Sequence, residues 1–376
     1  MMKFPSPHST KLQALVFKRT IPKGILAVCT AIGFSSILFA NHACSAITPD
    51  PNVLRISADR QSYSVGEKRS YLSGRVTVNY QDIHISGPRA VVEMDASGKP
   101  EVARFFERPM FRRIKPNVGE DRITGDVINI YIADDRFGAK GNVDSNIVTV
   151  AADPFHIRSD VQEFDNRNKV MAASGNVQVD YQGSKAFSAL ANVRMKPDGK
   201  AERVIFSGGV RIQKESSEIH GEKVTIMVDS GNLIAEHNVK TQVELKGRKE
   251  GPAHIVITSD YQQYDKATDT MIASGNVKIL YENYVAVGPK ATFKLKNNDV
   301  DKIFLTGRPT ITENDRVITA DKITITTNPK NFDAVGNVKV SFKSRPTEQP
   351  SSQAPAKKQV SGKPLKSLPV DDPSDY

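Results

Sequence analysis

From Val53 to Phe342 apolar residues fall at every second position, as in Val76, Val78, Tyr80; Val177, Val179, Tyr181; Val277, Ile279, Tyr281; and Val338, Val340, Phe342. A second set of runs alternates in the same way: Ile128, Ile130, Ile132; Val224, Ile226, Val228; Ile323, Ile325. Successive side chains of a strand point to opposite faces, so each run predicts a β-strand with Val and Ile on one side and Lys, Thr and Gln on the other. No helical period persists anywhere in this region. Clusters rich in Asn, Asp, Pro and Gly predict the turns, at Asp165-Asn166-Arg167-Asn168, Pro197-Asp198-Gly199, Asn297-Asn298-Asp299 and Asn328-Pro329-Lys330-Asn331.

One phrase recurs through these strands. Ala273-Ser274-Gly275-Asn276-Val277-Lys278-Ile279 repeats Ala173-Ser174-Gly175-Asn176-Val177-Gln178-Val179, and weaker copies stand at Leu72-Ser73-Gly74-Arg75-Val76, Ala139-Lys140-Gly141-Asn142-Val143 and Ala334-Val335-Gly336-Asn337-Val338. A decayed copy is Glu236-His237-Asn238-Val239. Fifteen residues before each glycine slot lies an acid: Asp59, Asp126, Asp160, Glu222, Asp260 or Asp321. The six units pair into three repeats, and the first unit of each carries Asp-x-Gln-x-aromatic: Asp59, Gln61, Tyr63; Asp160, Gln162, Phe164; Asp260, Gln262, Tyr264. Gly-Asn inside a strand predicts a bulge or sharp bend, and a bend repeated in every unit curls a sheet about its apolar face.

The recurring acid is a poor catalyst. A catalytic acid works in one pocket with a matched partner, whereas this one appears once per structural unit. The expectation is a carboxylate that accepts backbone N–H bonds at a turn.

Composition changes the picture mainly at the ends of the chain. The formal net charge of +10 would suit a nucleic-acid partner, but Lys3, Lys11, Lys18, Arg19 and Lys23, which precede any acid, supply half of it, and no nucleic acid is expected. Those basic residues lead into an apolar run from Gly24 and then into Ala43-Cys44-Ser45-Ala46. The layout is that of a secretory signal peptide cut near Ala46. An uncleaved anchor is the competing reading, against which the apolar run, at about 16 residues, is short for a membrane span. A lipidated Cys44 is a weaker alternative, since Asn41-His42-Ala43 suits that processing poorly. Both cysteines, Cys29 and Cys44, lie in this segment, so a mature body beyond it has no disulfide framework, thiol nucleophile or cysteine metal site. Residues 344–376, rich in Pro, Ser and Lys, predict a disordered tail.

Motifs for chemistry are sparse. His84, His156, His220, His237 and His254 are scattered, and no zinc-binding pair, nucleophile elbow, phosphate loop or dinucleotide fingerprint occurs. No enzyme activity, metal or cofactor is expected; Asn297 to Asp301 reads as a hairpin turn before a calcium loop. A basic cluster, Arg104, Arg108, Arg112 and Arg113 with Lys99 and Lys115, interleaves with Phe105, Phe106 and Phe111. It reads either as a solvated strand face or as a rim for anionic headgroups.

The Ser/Ala-x-Gly-Asn-Val-x-Val phrase with its preceding acid, over residues 53–343, resembles the organic-solvent-tolerance (OstA) family of LptA-like periplasmic proteins of lipopolysaccharide transport. The resemblance implies an all-β fold: an elongated, open antiparallel β-jellyroll, here of three tandem OstA-like repeats at residues 47–153, 154–253 and 254–343 behind a signal peptide at residues 1–46. It implies periplasmic carriage of lipopolysaccharide or a similar glycolipid from inner to outer membrane, with transport components of both membranes as partners and end-to-end homo-oligomers. The groove residues are then expected at Val76, Val78, Ile128, Ile130, Val177, Val179, Val224, Ile226, Val277, Ile279, Ile323, Ile325, Val338 and Val340, with Arg104, Arg108, Arg112 and Arg113 for headgroups. Alternatives are an LptC-like membrane-anchored component of the same pathway and a structural or adhesive β-repeat protein without lipid cargo.

Overall fold

The alternating runs form strands throughout. The computed structural model describes residues 54–149, 152–245, 253–296 and 299–342. The N-terminal segment with both cysteines, residues 297 and 298 of the turn weighed for calcium, and the tail from Ser344 lie outside the described residues. The strands begin with β1 (Arg55–Ser57), β2 (Arg60–Ser64), β3 (Arg69–Tyr80), β4 (Ile83–Met94), β5 (Pro100–Phe106), β6 (Met110–Lys115), β7 (Gly119–Thr124), β8 (Val127–Tyr131) and β9 (Arg136–Thr149). They continue with β10 (Ala152–Asp165), β11 (Val170–Tyr181), β12 (Ser184–Met195), β13 (Ala201–Lys214), β14 (Ser217–Met227), β15 (Asn232–Leu245), β16 (Ala253–Asp265), β17 (Thr270–Tyr281) and β18 (Tyr284–Lys296). The last are β19 (Asp299–Thr306), β20 (Thr310–Glu313), β21 (Arg316–Thr319), β22 (Lys322–Thr327), β23 (Lys330–Val335) and β24 (Lys339–Phe342). All 24 belong to one antiparallel sheet, and no helix occurs among the described residues.

Every strand is bent at the same level. β1 and β2 pair with the two ends of β3, and β5 and β6 with the two ends of β4; β19 and β20 pair likewise with β18. Each such pair is one long strand broken at the bend. Strands that run through unbroken shift register there instead, between Ser174 and Val177 in β11, Ser207 and Val210 in β13, and Ser274 and Val277 in β17. The line of bends folds the sheet into two leaves: leaf one carries β1, β6, β7, β20, β21 and β24, and leaf two carries β2, β5, β8, β19, β22 and β23. The longer strands cross from one leaf to the other.

The Gly-Asn pair makes the bend. Gly175 and Asn176 have φ of 73° and 49°, and Gly275 and Asn276 have 74° and 48°, consecutive left-handed residues of the two types that adopt this conformation most readily. Asn176 Nδ2 then donates to Asp160 Oδ2 at 2.9 Å, Asn276 to Asp260 at 2.8 Å, Asn142 to Asp126 at 3.1 Å and Asn337 to Asp321 at 2.8 Å. In the first copy Arg75 replaces Asn, and its guanidinium, 2.8 Å from Asp59, holds that carboxyl below its usual range. A Cβ at Gly175 would meet Asp160 Oδ2 at 2.3 Å, so contact as well as φ demands glycine.

This corrects the expectation of a carboxylate receiving backbone N–H groups at a turn. The acid lies at the bend itself, and its carboxylate is tied to a side chain on the neighbouring strand. Backbone polarity runs the other way, Asp126 N–H donating to Gly141 O at 2.9 Å. The acid-bearing strand also changes parity here: Phe155, Ile157 and Ser159 face inward, then Gln162 and Phe164. On the Gly-Asn strand parity is kept, with Met171, Ala173, Val177 and Val179 all inward. Both halves of each strand thereby present one dry face to the space between the leaves.

Two core clusters line that space. One runs from Leu72 to Val239 and the other from Leu245 to Ile325.

Candidate functional site

Between the leaves, from β10 to β16, the interior is hollow. A cavity of about 710 Å³ is lined by apolar side chains of both leaves, including Phe155 and Val179 on leaf one and Val193 and Leu233 on leaf two. Four inward positions of its lining carry only a methyl group: Ala173, Ala186, Ala191 and Ala201. Phe155 stacks on Tyr181 at 4.0 Å along one wall, and burial pushes the Tyr181 hydroxyl above its ordinary pKa. Tyr264 bounds the cavity towards the C-terminal cluster; desolvation first, then its hydrogen bond to Asp269 at 2.9 Å, raises that hydroxyl to about 12.

The mouth of this chamber lies opposite the bend, where the hairpin turns form two rims. Gln182, Ser184, Lys214 and Ser217 stand on the rim of leaf one; Lys200, Asp229 and Lys266 stand on that of leaf two. Asp229 is paired with Lys196 and Lys200 with Asp198, and the ammonium groups of Lys214 and Lys266 belong to the same opening.

On either side of the chamber the leaves are closed. Towards the N-terminus, Phe111 of leaf one stacks on Phe137 of leaf two at 4.3 Å, and Phe137 stacks on Phe164 at 4.3 Å. Arg113 covers these rings, its guanidinium 5.7 Å from the Phe111 centroid and 5.2 Å from that of Phe137. Its Nη2 then donates across the mouth to Asn166 Oδ1 at 3.1 Å, and Asn166 Nδ2 donates on to Asp135 at 3.0 Å. Towards the C-terminus, the Tyr281 hydroxyl of leaf one donates to Thr327 O of leaf two at 3.4 Å, and Lys330 of leaf two bonds Glu282 and Asn283 on the opposite rim while lying 4.3 Å from the Tyr284 ring.

Of the residues expected to line a groove, Val179 and Ile226 line the chamber. Val76, Val78, Ile128 and Ile130 are packed in the N-terminal part of the first core cluster, and Val277, Ile279, Ile323 and Ile325 in the second; Val177 and Val224 are buried beside the bend. Val338 and Val340 are about half exposed, at 47% and 51%, since Val340 faces Ile318 across β21 and no described strand lies beyond β24.

The structure does not assemble the basic cluster into a rim. Arg104 lies on leaf two and is paired with Glu93, Arg108 sits in the bend with φ of 60°, and Arg112 and Arg113 lie on leaf one. Arg112 holds Glu120 at 2.6 Å and, together with Arg122, depresses that carboxyl to about 2. Arg113 is committed to Asn166 and Asp82. Residues near in sequence separate here because the chain crosses the bend between them. The lysines of the chamber mouth escaped the sequence reading: each follows an alternating run as an ordinary polar residue, and only the three-repeat register marks their position.

Among the described residues no group of His, Cys, Asp and Glu is arranged to hold a metal. No family model matches the chain, and no curated protein matches it. Among solved structures the chain is similar to LptH, the LptA homologous periplasmic component of the lipopolysaccharide transport device of Pseudomonas aeruginosa, with 13% identity and a TM-score of 0.31, over 36% of this chain and 99% of that one.

Proposed function

We propose that the chain is a non-enzymatic carrier that takes the acyl chains of a glycolipid, of the lipopolysaccharide class, into the chamber between its leaves and moves it between the inner and outer membranes. The observation that carries this reading is the 710 Å³ apolar cavity, whose size falls in the range of ligand sites and whose mouth is polar and cationic. Each methylene buried there contributes about 0.8 kcal/mol, so a few acyl chains suffice for tight binding. The signal-peptide layout of residues 1–46 and the family resemblance of the Gly-Asn repeats support the periplasm as the place of action and membrane-bound transport components as partners.

Native mass spectrometry of the full chain, with and without added lipopolysaccharide, tests the proposal. Bound lipid is expected for the unaltered chain and its loss for Ala191→Phe, which fills the chamber with a ring. A chain that folds, purifies free of lipid and takes up none overturns it, and leaves the reading of a structural repeat protein.

A further inference from the structure

The three repeats put different side chains at one structural position. Phe111 faces Ile85, Ile212 faces Ala186 and Ile311 faces Ala286, so the residues two further along, Arg113, Lys214 and Glu313, are equivalents on the rim of leaf one. On leaf two, Phe164 faces Met171 and Tyr264 faces Met271, which makes Asn166 and Lys266 equivalents in the same way. In the first repeat the two rims join through Arg113 and Asn166. In the third, Glu313 turns to Arg316 and Asn283, and Lys330 ties the rims. In the middle repeat the corresponding pair is Lys214 and Lys266, two ammonium groups on opposite sides of the chamber mouth.

Like charges cannot clasp each other. They can share an anion, and a Lys ammonium is a compact point charge well suited to phosphate. Ser184 and Ser217, which pair with Lys214, and Gln182 in the turn beside them add hydrogen-bond donors at the same opening.

We propose that Lys214 and Lys266 are the two halves of a clasp that the ligand completes: the anionic headgroup of the lipid in the chamber bridges both rims, as Asn166 bridges them for Arg113 in the first repeat. The chamber is then loaded from its side, through the middle mouth, and selects acyl amphiphiles that carry phosphate over neutral ones with the same chains. The proposal rests on the carrier reading. It adds a selectivity which that reading does not require.

The probes are phosphatidic acid and the diacylglycerol with identical acyl chains, titrated against the full chain. The unaltered protein is expected to prefer phosphatidic acid by about tenfold or more, the value of a charge-assisted hydrogen bond. Lys214→Gln with Lys266→Gln is expected to remove the preference, weakening phosphatidic acid about tenfold more than diacylglycerol, with the thermal transition unchanged. Lys214→Arg with Lys266→Asn copies the first-repeat clasp into the middle mouth and slows uptake of both probes. Equal binding of the two probes by the unaltered protein, or a preference that survives the double Gln variant, overturns the clasp while the carrier reading stands. If neither probe binds, both fall together.

Discussion

The N-terminal part of the sheet and its middle part share a bend and a pairing register, yet one is solid and the other hollow. The difference lies in the side chains at equivalent positions: Phe111 against Ile212, Ile85 against Ala186, and Phe137, which faces Phe164, against Leu233, which faces Tyr264. In the first region the rings meet across the leaves and Arg113 seals the mouth above them; in the second no ring pair among the described residues spans the leaves, and lysines line the mouth. A constant backbone therefore serves as wall or as container according to inward side-chain volume, because interiors tolerate little unfilled space unless something else occupies it.

The largest test of this contrast is Phe111→Ala. Removing a fully buried ring from the packed region is expected to cost about 3–5 kcal/mol, whereas Ile212→Ala, beside space that is already open, costs no more than about 2 kcal/mol. Denaturant unfolding of the two variants measures this, and equal costs would mean that the two regions are packed alike.

The bend should not discriminate between the regions. Gly141→Ala and Gly175→Ala each place a Cβ within 2.2 and 2.3 Å of an Asp oxygen at positive φ, and both are expected to cost about 1–3 kcal/mol. A variant that unfolds no more easily than the parent would show that the Asp–Asn bend is not under that constraint.

Rim substitutions come next in size. Arg113→Ala loses a hydrogen bond and two ring contacts for about 1–2 kcal/mol, while Lys214→Ala stays within about 0.5 kcal/mol of the parent. Thermal unfolding of the pair is the measurement, and a larger loss at Lys214 would place the structural clasp in the middle instead.

The smallest expected effect separates two otherwise matching glutamines. Gln262 Oε1 accepts from Thr241, whereas Gln162 Oε1 is buried with no hydrogen-bond partner among the described residues, because Ser145 stands at the register position of Thr241 and bonds Ile157 O instead. Ser145→Thr is expected to supply the partner and stabilise the chain by up to about 1 kcal/mol, read as a rise in melting temperature. A fall would mean that the added methyl group overpacks the site.

Much of the architecture was legible in the residues alone. Period-two alternation determined strands with one dry face, and the Gly-Asn phrase marked the bend in the units that carry it, whereas the bends at Glu107-Arg108, Gly208-Gly209 and Gly307-Arg308 use other left-handed pairs that no repeated phrase announced. The fixed interval to the acid announced a partnership, although its chemistry, an Asn amide on the neighbouring strand, required the pairing register. The hollow middle belongs to tertiary structure. A cavity is the volume left between side chains on facing leaves, such as Ala186 and Ala191, and alternation cannot tell an alanine that faces a ring from one that faces another alanine. The four clustered arginines show the same limit, since folding across the bend separates residues that the chain holds close. Lys214 and Lys266, far apart in the chain, stand on the two rims of one mouth because two leaves carry them there.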